Sequence, residues 1–409
     1  MSRQIIRDLM PEAEQFLAEF LRFPSVSGKE HEAMLFLDKA FAELDVEVER
    51  VPMTNALRAD PDYSDPIPDL AYDGRFNLRI RRRGTGGGKT LLFNAHTDVV
   101  PPSEGQESPW SGRIADGVAY GRGACDDKGP LTSIYLTLKA LDALGVRLKG
   151  DVVAHLVVEE ENGGNGSLAM ARAGERADGC IVLEPTDHKV FTSIRGAVWF
   201  RIVFKGKAGH SGQAGQTRSA LLLARDAMAI LERYHDDLLA ASRGLPLFDP
   251  YPNPMPITFG RLEAGNWPSA APNRAVLEGV LGLLPNKTKE EVCAEMRQAL
   301  LDGGLTADDF DLGFTYRHDS SVVEVDHELP QTLLGAAEAA GSPAATAAMT
   351  ASCDAWFYNN QLGIPTVVYG PGSLKVAHSK DEVIELADIE RAAGVFVRFL
   401  MDYCGAEQS

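Results

Sequence analysis

The chain has 409 residues, room for two or three domains at roughly 150 residues each. Its 44% hydrophobic and 24% charged residues exclude a disordered, collagenous or coiled-coil protein. With 58 acidic against 40 basic residues the net charge is −18, which argues against nonspecific nucleic-acid or anionic-membrane binding.

The chain opens on a charged, amphipathic segment without an apolar signal core, and no apolar run is long enough to span a membrane. Residues 8–22 and 29–44 place apolar side chains at helical spacing (Leu17, Phe20, Leu21; Met34, Leu37, Phe41, Leu44). Between them, Phe23-Pro-Ser-Val-Ser-Gly28 reads as a loop. Residues 82–90 are glycine-rich, but a phosphate loop needs glycine where Arg83 stands, so a hairpin turn beside solvated arginines is expected. Short apolar runs follow at Leu91–Phe93, Val152–Val158, Cys180–Leu183 and Pro365–Tyr369, the pattern of buried, parallel strands. Residues 130–144 form a helix with Pro130 at its start. Alternating strands and helices predict a mostly parallel α/β sheet with helices on both faces.

Residues 193–318 have a different pattern. Ala197–Lys205 alternates, with Val198, Phe200, Ile202 and Phe204 on one face. A long helix at 219–240, strands at 257–262 and 275–284, a helix opened by the capping box Thr288-Lys-Glu-Glu291, and a strand at 310–316 complete a β-α-β-β-α-β order. The expected organisation is therefore a catalytic domain of residues 1–192 and 319–409 with a ferredoxin-like α+β domain, residues 193–318, inserted into it.

Acids and imidazoles gather at the ends of the predicted strands: His96 and Asp98, the Glu159-Glu160-Glu161 triplet, Glu184, and His378 after a Gly370-Pro-Gly372 loop. Asp126-Asp127 precedes the helix at 130–144. In open α/β sheets ligands lie beyond the carboxyl ends of strands. Each segment alone is unremarkable, but their joint placement points to a metal site, and oxygen plus imidazole donors suit Zn²⁺, Co²⁺ or Mn²⁺. Asp98 lies two residues beyond His96, close enough to hold its second N–H. The cysteines, Cys125, Cys180, Cys293, Cys353 and Cys404, are scattered, with no C-x-x-C pair, as in a reducing, cytoplasmic compartment. Cys125 is not expected to be a nucleophile. His31, His155, His188, His235, His318 and His327 read as surface or packing residues.

The segments Leu92-Phe-Asn-Ala-His-Thr-Asp-Val-Val-Pro101, Gly121-Arg-Gly-Ala-Cys-Asp-Asp-Lys-Gly129, Glu159-Glu-Glu-Asn-Gly-Gly-Asn-Gly166 and Leu183-Glu-Pro185 resemble the di-zinc metallopeptidase/deacylase family of acetylornithine deacetylase, succinyl-diaminopimelate desuccinylase and carboxypeptidase G. The likeness runs from Pro24-Ser-Val-Ser-Gly28 to His378-Ser-Lys-Asp-Glu382. It implies a catalytic α/β domain with a lid and dimerisation domain, and two divalent metals, zinc first, with Co or Mn possible. Asp126 would bridge them, His96 and Glu184 would complete one metal, and Glu161 and His378 the other. Glu160 would be the general base acting on a metal-bridged water. Asp98 would orient His96, and the Asp126–Asp127 peptide would be cis. The register of the triplet follows from Asn162-Gly163-Gly164, which leaves Glu159 where many relatives carry Asp. His210, in Gly209-His-Ser-Gly212 on the lid, would reach substrate or oxyanion from the partner subunit of a homodimer, and Gly372 would line the substrate site.

The departures concern the substrate. Val280-Leu-Gly-Leu-Leu-Pro285 lacks the arginine many relatives carry in a lid strand, and Trp356 stands where some place a carboxylate-binding arginine. Arg195 or Arg274 could compensate; otherwise a less anionic or more aromatic N-acyl substrate is implied. The leading reading is a hydrolase of the amide bond of an N-acyl amino acid or related N-acyl amine. A metallo-carboxypeptidase or dipeptidase is the alternative, and an inactive binding relative ranks behind both.

Overall fold

Strands Leu91–His96 and Val152–Val157 are apolar without alternation, and both are buried along their whole length. In the computed structural model, which describes residues 2–68, 70–212 and 215–407, they lie at the centre of a mixed sheet. Leu91, Phe93 and Ala95 enter one core and Leu92 the opposite one; Val152 and Ala154 likewise face away from Val153. A strand covered on both faces needs no polar alternation, which explains the continuous runs.

The sheet order is Glu47–Pro52, Phe76–Arg82, Val152–Val157, Leu91–His96, Gly179–Val182, Thr366–Val368, Val190–Ile194 and Ser321–Val322, with Thr346–Met349 also paired to Val190–Ile194. Its four central members, from Val152–Val157 to Thr366–Val368, run parallel, and antiparallel strands close both edges. Helices Ser2–Phe20, Lys128–Ala143, Glu328–Ala339 and Leu386–Leu400 pack together on one face. Helix Asn165–Ala173 and the segment 353–364 cover the other.

The inserted unit is a four-stranded antiparallel sheet ordered Ile257–Ala264, Arg274–Leu283, Gly196–Lys205, Phe310–His318. Helices Ala220–Ala241 and Lys289–Asp302 bury one face against Val198, Phe200, Ile202 and Phe204. The Thr288–Glu291 capping box is formed: the Glu291 N–H donates to Thr288 Oγ1 (3.2 Å), and the Thr288 N–H to Glu291 Oε2 (2.8 Å). The chain enters through Ile194–Gly196 and leaves through His318–Ser321. Ser321 pairs with Ile194 and His318 with Ala197, so the two crossings lie side by side.

One expectation is corrected. Residues 82–90 are not a hairpin turn: the strands they join both flank Val152–Val157 and never pair with each other. The loop packs on residues 148–151 instead, with the Thr85 N–H bonded to Leu148 and the Gly86 N–H to Lys149. Of its arginines, Arg82 is largely buried against Asp142, whereas Arg83 stays solvent-exposed beside an equally exposed Glu47. The sequence pattern also passed over a small sheet of Arg113–Ala115, Val118–Tyr120 and Val383–Glu385, whose strands are too short to show a period.

Candidate metal centre

Three strands of the parallel region end on one rim. His96 closes Leu91–His96, Glu160 and Glu161 follow Val152–Val157, and Glu184 follows Gly179–Val182. Asp126 and Asp127, joined by a cis peptide, sit immediately before helix Lys128–Ala143. His378 approaches from the loop after Thr366–Val368, with φ at +58°.

Asp126 is the centre of this arrangement. Its Oδ1 lies 2.9 Å from His96 Nε2, and its Oδ2 lies 3.2 Å from His378 Nε2. His378 Nε2 is also 2.9 Å from Glu161 Oε1. Ligand atoms of His96, Asp126 and Glu161 lie within 4.8 Å of one another, and so do those of His96, Glu160 and Glu184. Neither group is the expected trio of His96, Asp126 and Glu184: Asp126 clusters with Glu161, and Glu184 with Glu160, around the shared His96.

The donor set fits a cation. His96 Nδ1 is 2.9 Å from the Asp98 carbonyl oxygen, so Nδ1 carries the hydrogen. The lone pair of Nε2 then faces the Asp126 carboxylate, acceptor against acceptor, unless a proton or a metal lies between. Burial opposes protonation of His96, yet its bonds to Asp126 and Asp98 raise its pKa well above the usual value. His378 is pushed up to about 11 by Asp126 and Glu161. Burial opposes ionisation of Asp126, but the two imidazoles outweigh it and hold the carboxyl below the ordinary range. Glu160, Glu161 and Glu184 are all raised, first by burial and then by neighbouring acids. So many carboxylates in one buried cluster demand positive charge.

Asp98 acts on two sides. Its backbone carbonyl holds His96, while its carboxylate stands 3.6 Å from that ring. The carboxylate accepts the N–H groups of Glu160 (3.0 Å) and Glu161 (3.2 Å) and the hydroxyl of Ser27 (2.9 Å). The triplet therefore splits. Glu159, at φ +63°, turns away to Arg75, Tyr72 (2.8 Å) and Asn165 (3.1 Å). Arg75 also pairs with Glu30 at 2.9 Å. Glu160 and Glu161 remain on the rim.

Gly372 has φ +86°, and a Cβ there would lie 2.9 Å from Cys125 Sγ. Its carbonyl accepts the Asp187 N–H at 2.7 Å, which ties the loop down beside the rim. His210 is exposed on a two-residue strand paired with Ala270–Ala271, and its Nδ1 accepts the Gly212 N–H at 3.0 Å. Among the described residues it joins neither cluster. Trp356 is buried and stacked on His318, centroids 4.3 Å apart, with Lys289 Nζ 4.3 Å from its ring centre. Arg195 is occupied by the carbonyls of Thr350 and Gly196, and Arg274 is exposed on the lid.

Several residues around the centre were not singled out by the sequence. Asp127 Oδ2 accepts the His96 backbone N–H at 3.1 Å. Asp354, fully buried, accepts the Ser167 hydroxyl at 2.6 Å, and burial lifts it to about 7. Glu382 accepts three N–H groups of the Asp126 loop. The nearest signals were adjacency to Asp126 for Asp127, and for Glu382 a place four residues after His378.

A rim of imidazoles and carboxylates at the carboxyl ends of parallel strands, under an inserted antiparallel sheet, defines a metal-dependent hydrolase. Residues 92–402 match Peptidase family M20/M25/M40, and the chain belongs to that family. It is 29% identical over 402 residues to succinyl-diaminopimelate desuccinylase of Methylorubrum populi, covering 94% of this chain and 96% of the relative. Over 352 residues it is 24% identical to N-formyl-4-amino-5-aminomethyl-2-methylpyrimidine deformylase of Halalkalibacterium halodurans, covering 77% and 79%. Among solved structures, a dinuclear metal-binding peptidase of the M20 family from Bacillus subtilis superposes with a TM-score of 0.67 at 16% identity, over 97% of this chain and 98% of the other.

Proposed function

We propose that the protein is a homodimeric, cytoplasmic di-metal amidohydrolase that removes the acyl group from an N-acyl amino acid or a related N-acyl amine. The observation that carries this reading is Asp126, one carboxylate oxygen facing His96 and the other facing His378. A carboxylate that bridges two cations needs that arrangement. In this reading His96 and Glu184 complete one metal position, and Glu161 and His378 the other. Zn²⁺ is the first expectation, and Co²⁺ or Mn²⁺ suit the same donors. When bound, the metals supply Lewis acidity toward the scissile carbonyl and the attacking water.

The remaining chemistry belongs to the chain. Glu160 takes a proton from the attacking water and gives it to the leaving amine as the C–N bond breaks. In the metal-free chain burial raises its pKa above the usual carboxylate value. Asp98 braces the Glu160–Glu161 turn by its N–H groups. His210 serves the oxyanion or the substrate from the partner's lid, and Gly372 lines the substrate side of the rim. Five free cysteines support a reducing compartment.

Unless the exposed Arg274 of the lid receives the carboxylate, the missing arginines favour a substrate less anionic, or more aromatic, than a simple α-carboxylate. Trp356 replaces one expected arginine, Gly282 and its neighbours lack the other, and Arg195 is occupied by backbone carbonyls. The deformylase relative, named for an N-formyl pyrimidine amine, is compatible with this.

The test is elemental analysis of purified protein, together with a panel of N-acetyl and N-succinyl amino acids, N-formyl heteroaromatic amines and dipeptides. About two metals per chain are expected, with N-acyl hydrolysis that chelation abolishes and Zn²⁺ or Co²⁺ restores. Faster cleavage of dipeptides would make it an exopeptidase. No metal and no hydrolysis after reconstitution would leave a binding protein.

A further inference from the structure

A closed ring of contacts joins the Asp126 loop to the His378 loop behind the metal centre. Glu382 is 2% exposed. Its Oε1 accepts the backbone N–H groups of Gly123 (3.0 Å), Cys125 (3.1 Å) and Asp126 (3.2 Å). Its other oxygen pairs with Nη1 of Arg122, which is 1% exposed. Arg122 Nη2 donates to Ser103 Oγ at 2.8 Å, and Ser103 Oγ donates to the His378 carbonyl at 2.8 Å. The imidazole of His378 then returns to Asp126 and closes the ring.

We propose that Arg122, Glu382 and Ser103 form a positioning clamp that presets the bridging carboxylate and the His378 imidazole for metal, with Ser103 governing the metal position that His378 completes. This rests on the reading of Asp126 and His378 as ligands. A buried ion pair gains little net stability because desolvation offsets its attraction, so a stabilising role alone does not account for it. What it does supply is direction. Glu382 fixes three donors, the Gly123, Cys125 and Asp126 N–H groups, in the loop that presents Asp126. Ser103 fixes the carbonyl of His378, whose backbone lies in the left-handed region at φ +58°. Partners behind metal ligands commonly change metal affinity by about 10–100-fold when removed. The clamp touches neither Glu184 nor the His96 ring, so its effect is uneven between the two positions.

The experiment titrates metal-free full-length protein with Co²⁺ against a competing chelator, following visible absorption, for wild type, Ser103→Ala and Glu382→Gln. Thermal unfolding of the metal-free proteins is measured alongside. For Ser103→Ala one Co²⁺ affinity is expected to fall about 10–100-fold, with the other unchanged within about twofold and the unfolding temperature near wild type. Glu382→Gln, which also loosens Asp126, is expected to weaken both positions. Fewer than two Co²⁺ in the wild type would sink the di-metal reading itself. Two Co²⁺ in the wild type, with Ser103→Ala leaving both affinities intact or lowering them equally, would overturn the clamp alone. Ser103 is only partly buried, so that variant keeps the test open even where Glu382→Gln fails to fold.

Discussion

Glu160→Gln separates the general base from the metal ligands. The turn that carries Glu160 does not depend on its side chain: Asp98 takes the Glu160 N–H at 3.0 Å, and the Gly163 and Gly164 N–H groups take its carbonyl at 2.9 and 3.2 Å. Glutamine keeps the volume and removes both the charge and the capacity to accept a proton. Losing a positioned general base costs about 10²–10⁴ in kcat, or about 3–5 kcal/mol of transition-state stabilisation. The folded state should not suffer. Burial, then Asp354 and Glu161, already disfavour the Glu160 carboxylate, so the metal-free variant should unfold at or above the wild-type temperature. The assay is kcat on the best N-acyl substrate, with metal content measured on the same sample. A kcat within about tenfold of wild type at full metal content would refute the base assignment. Loss of one metal per chain would make Glu160 a ligand instead, which its place within 4.8 Å of His96 and Glu184 makes a real alternative to test.

Glu159→Gln should do the opposite of Glu160→Gln. It removes a partner of buried Arg75, at a cost on the order of 3–5 kcal/mol if Arg75 is left unpaired and less if Glu30 compensates, while kcat per folded molecule stays near wild type. Urea unfolding and active-site titration read the two effects, and a large fall in kcat with unchanged stability would reverse the register of the triplet. Asp354, raised to about 7 by burial, binds a proton in the folded state that the unfolded chain releases near its usual pKa of about 4. Its stabilising contribution is full below about 4 and is lost as pH rises through about 7. Metal-free wild type should therefore lose stability over that window and Asp354→Asn should lose less; equal slopes in urea midpoints would refute this. His210→Ala should lower kcat about 10²–10³-fold with both metals retained. Mixing it with Glu160→Gln under subunit exchange should recover activity, because a mixed dimer restores one complete site; no recovery would place His210 in its own subunit's site or outside the chemistry.

What the sequence revealed and what it hid follow from which groups do the work. Leu91–His96, Val152–Val157 and Gly179–Val182 are buried on both faces, so their apolar runs stand out, and the polar residues that end them are conspicuous. That is why His96, Glu160, Glu161 and Glu184 could be named together without coordinates. The inserted unit was legible for a related reason: a strand with one covered face must alternate, as Val198, Phe200, Ile202 and Phe204 do. Edge strands such as Glu47–Pro52 carry no comparable apolar stripe, since most of that strand faces solvent. The loop at 82–90 was misread because adjacency in the chain does not imply pairing; Val152–Val157, contributed from far along the chain, fills the gap between its two strands. Glu382 and Arg122 were invisible for a deeper reason. Glu382 works through main-chain N–H groups, which every residue but proline possesses, so nothing in the partner sequence Gly123-Ala-Cys-Asp126 advertises the contact. Side-chain chemistry at strand ends can be read from residue types, whereas the bracing behind it depends on where the backbone returns.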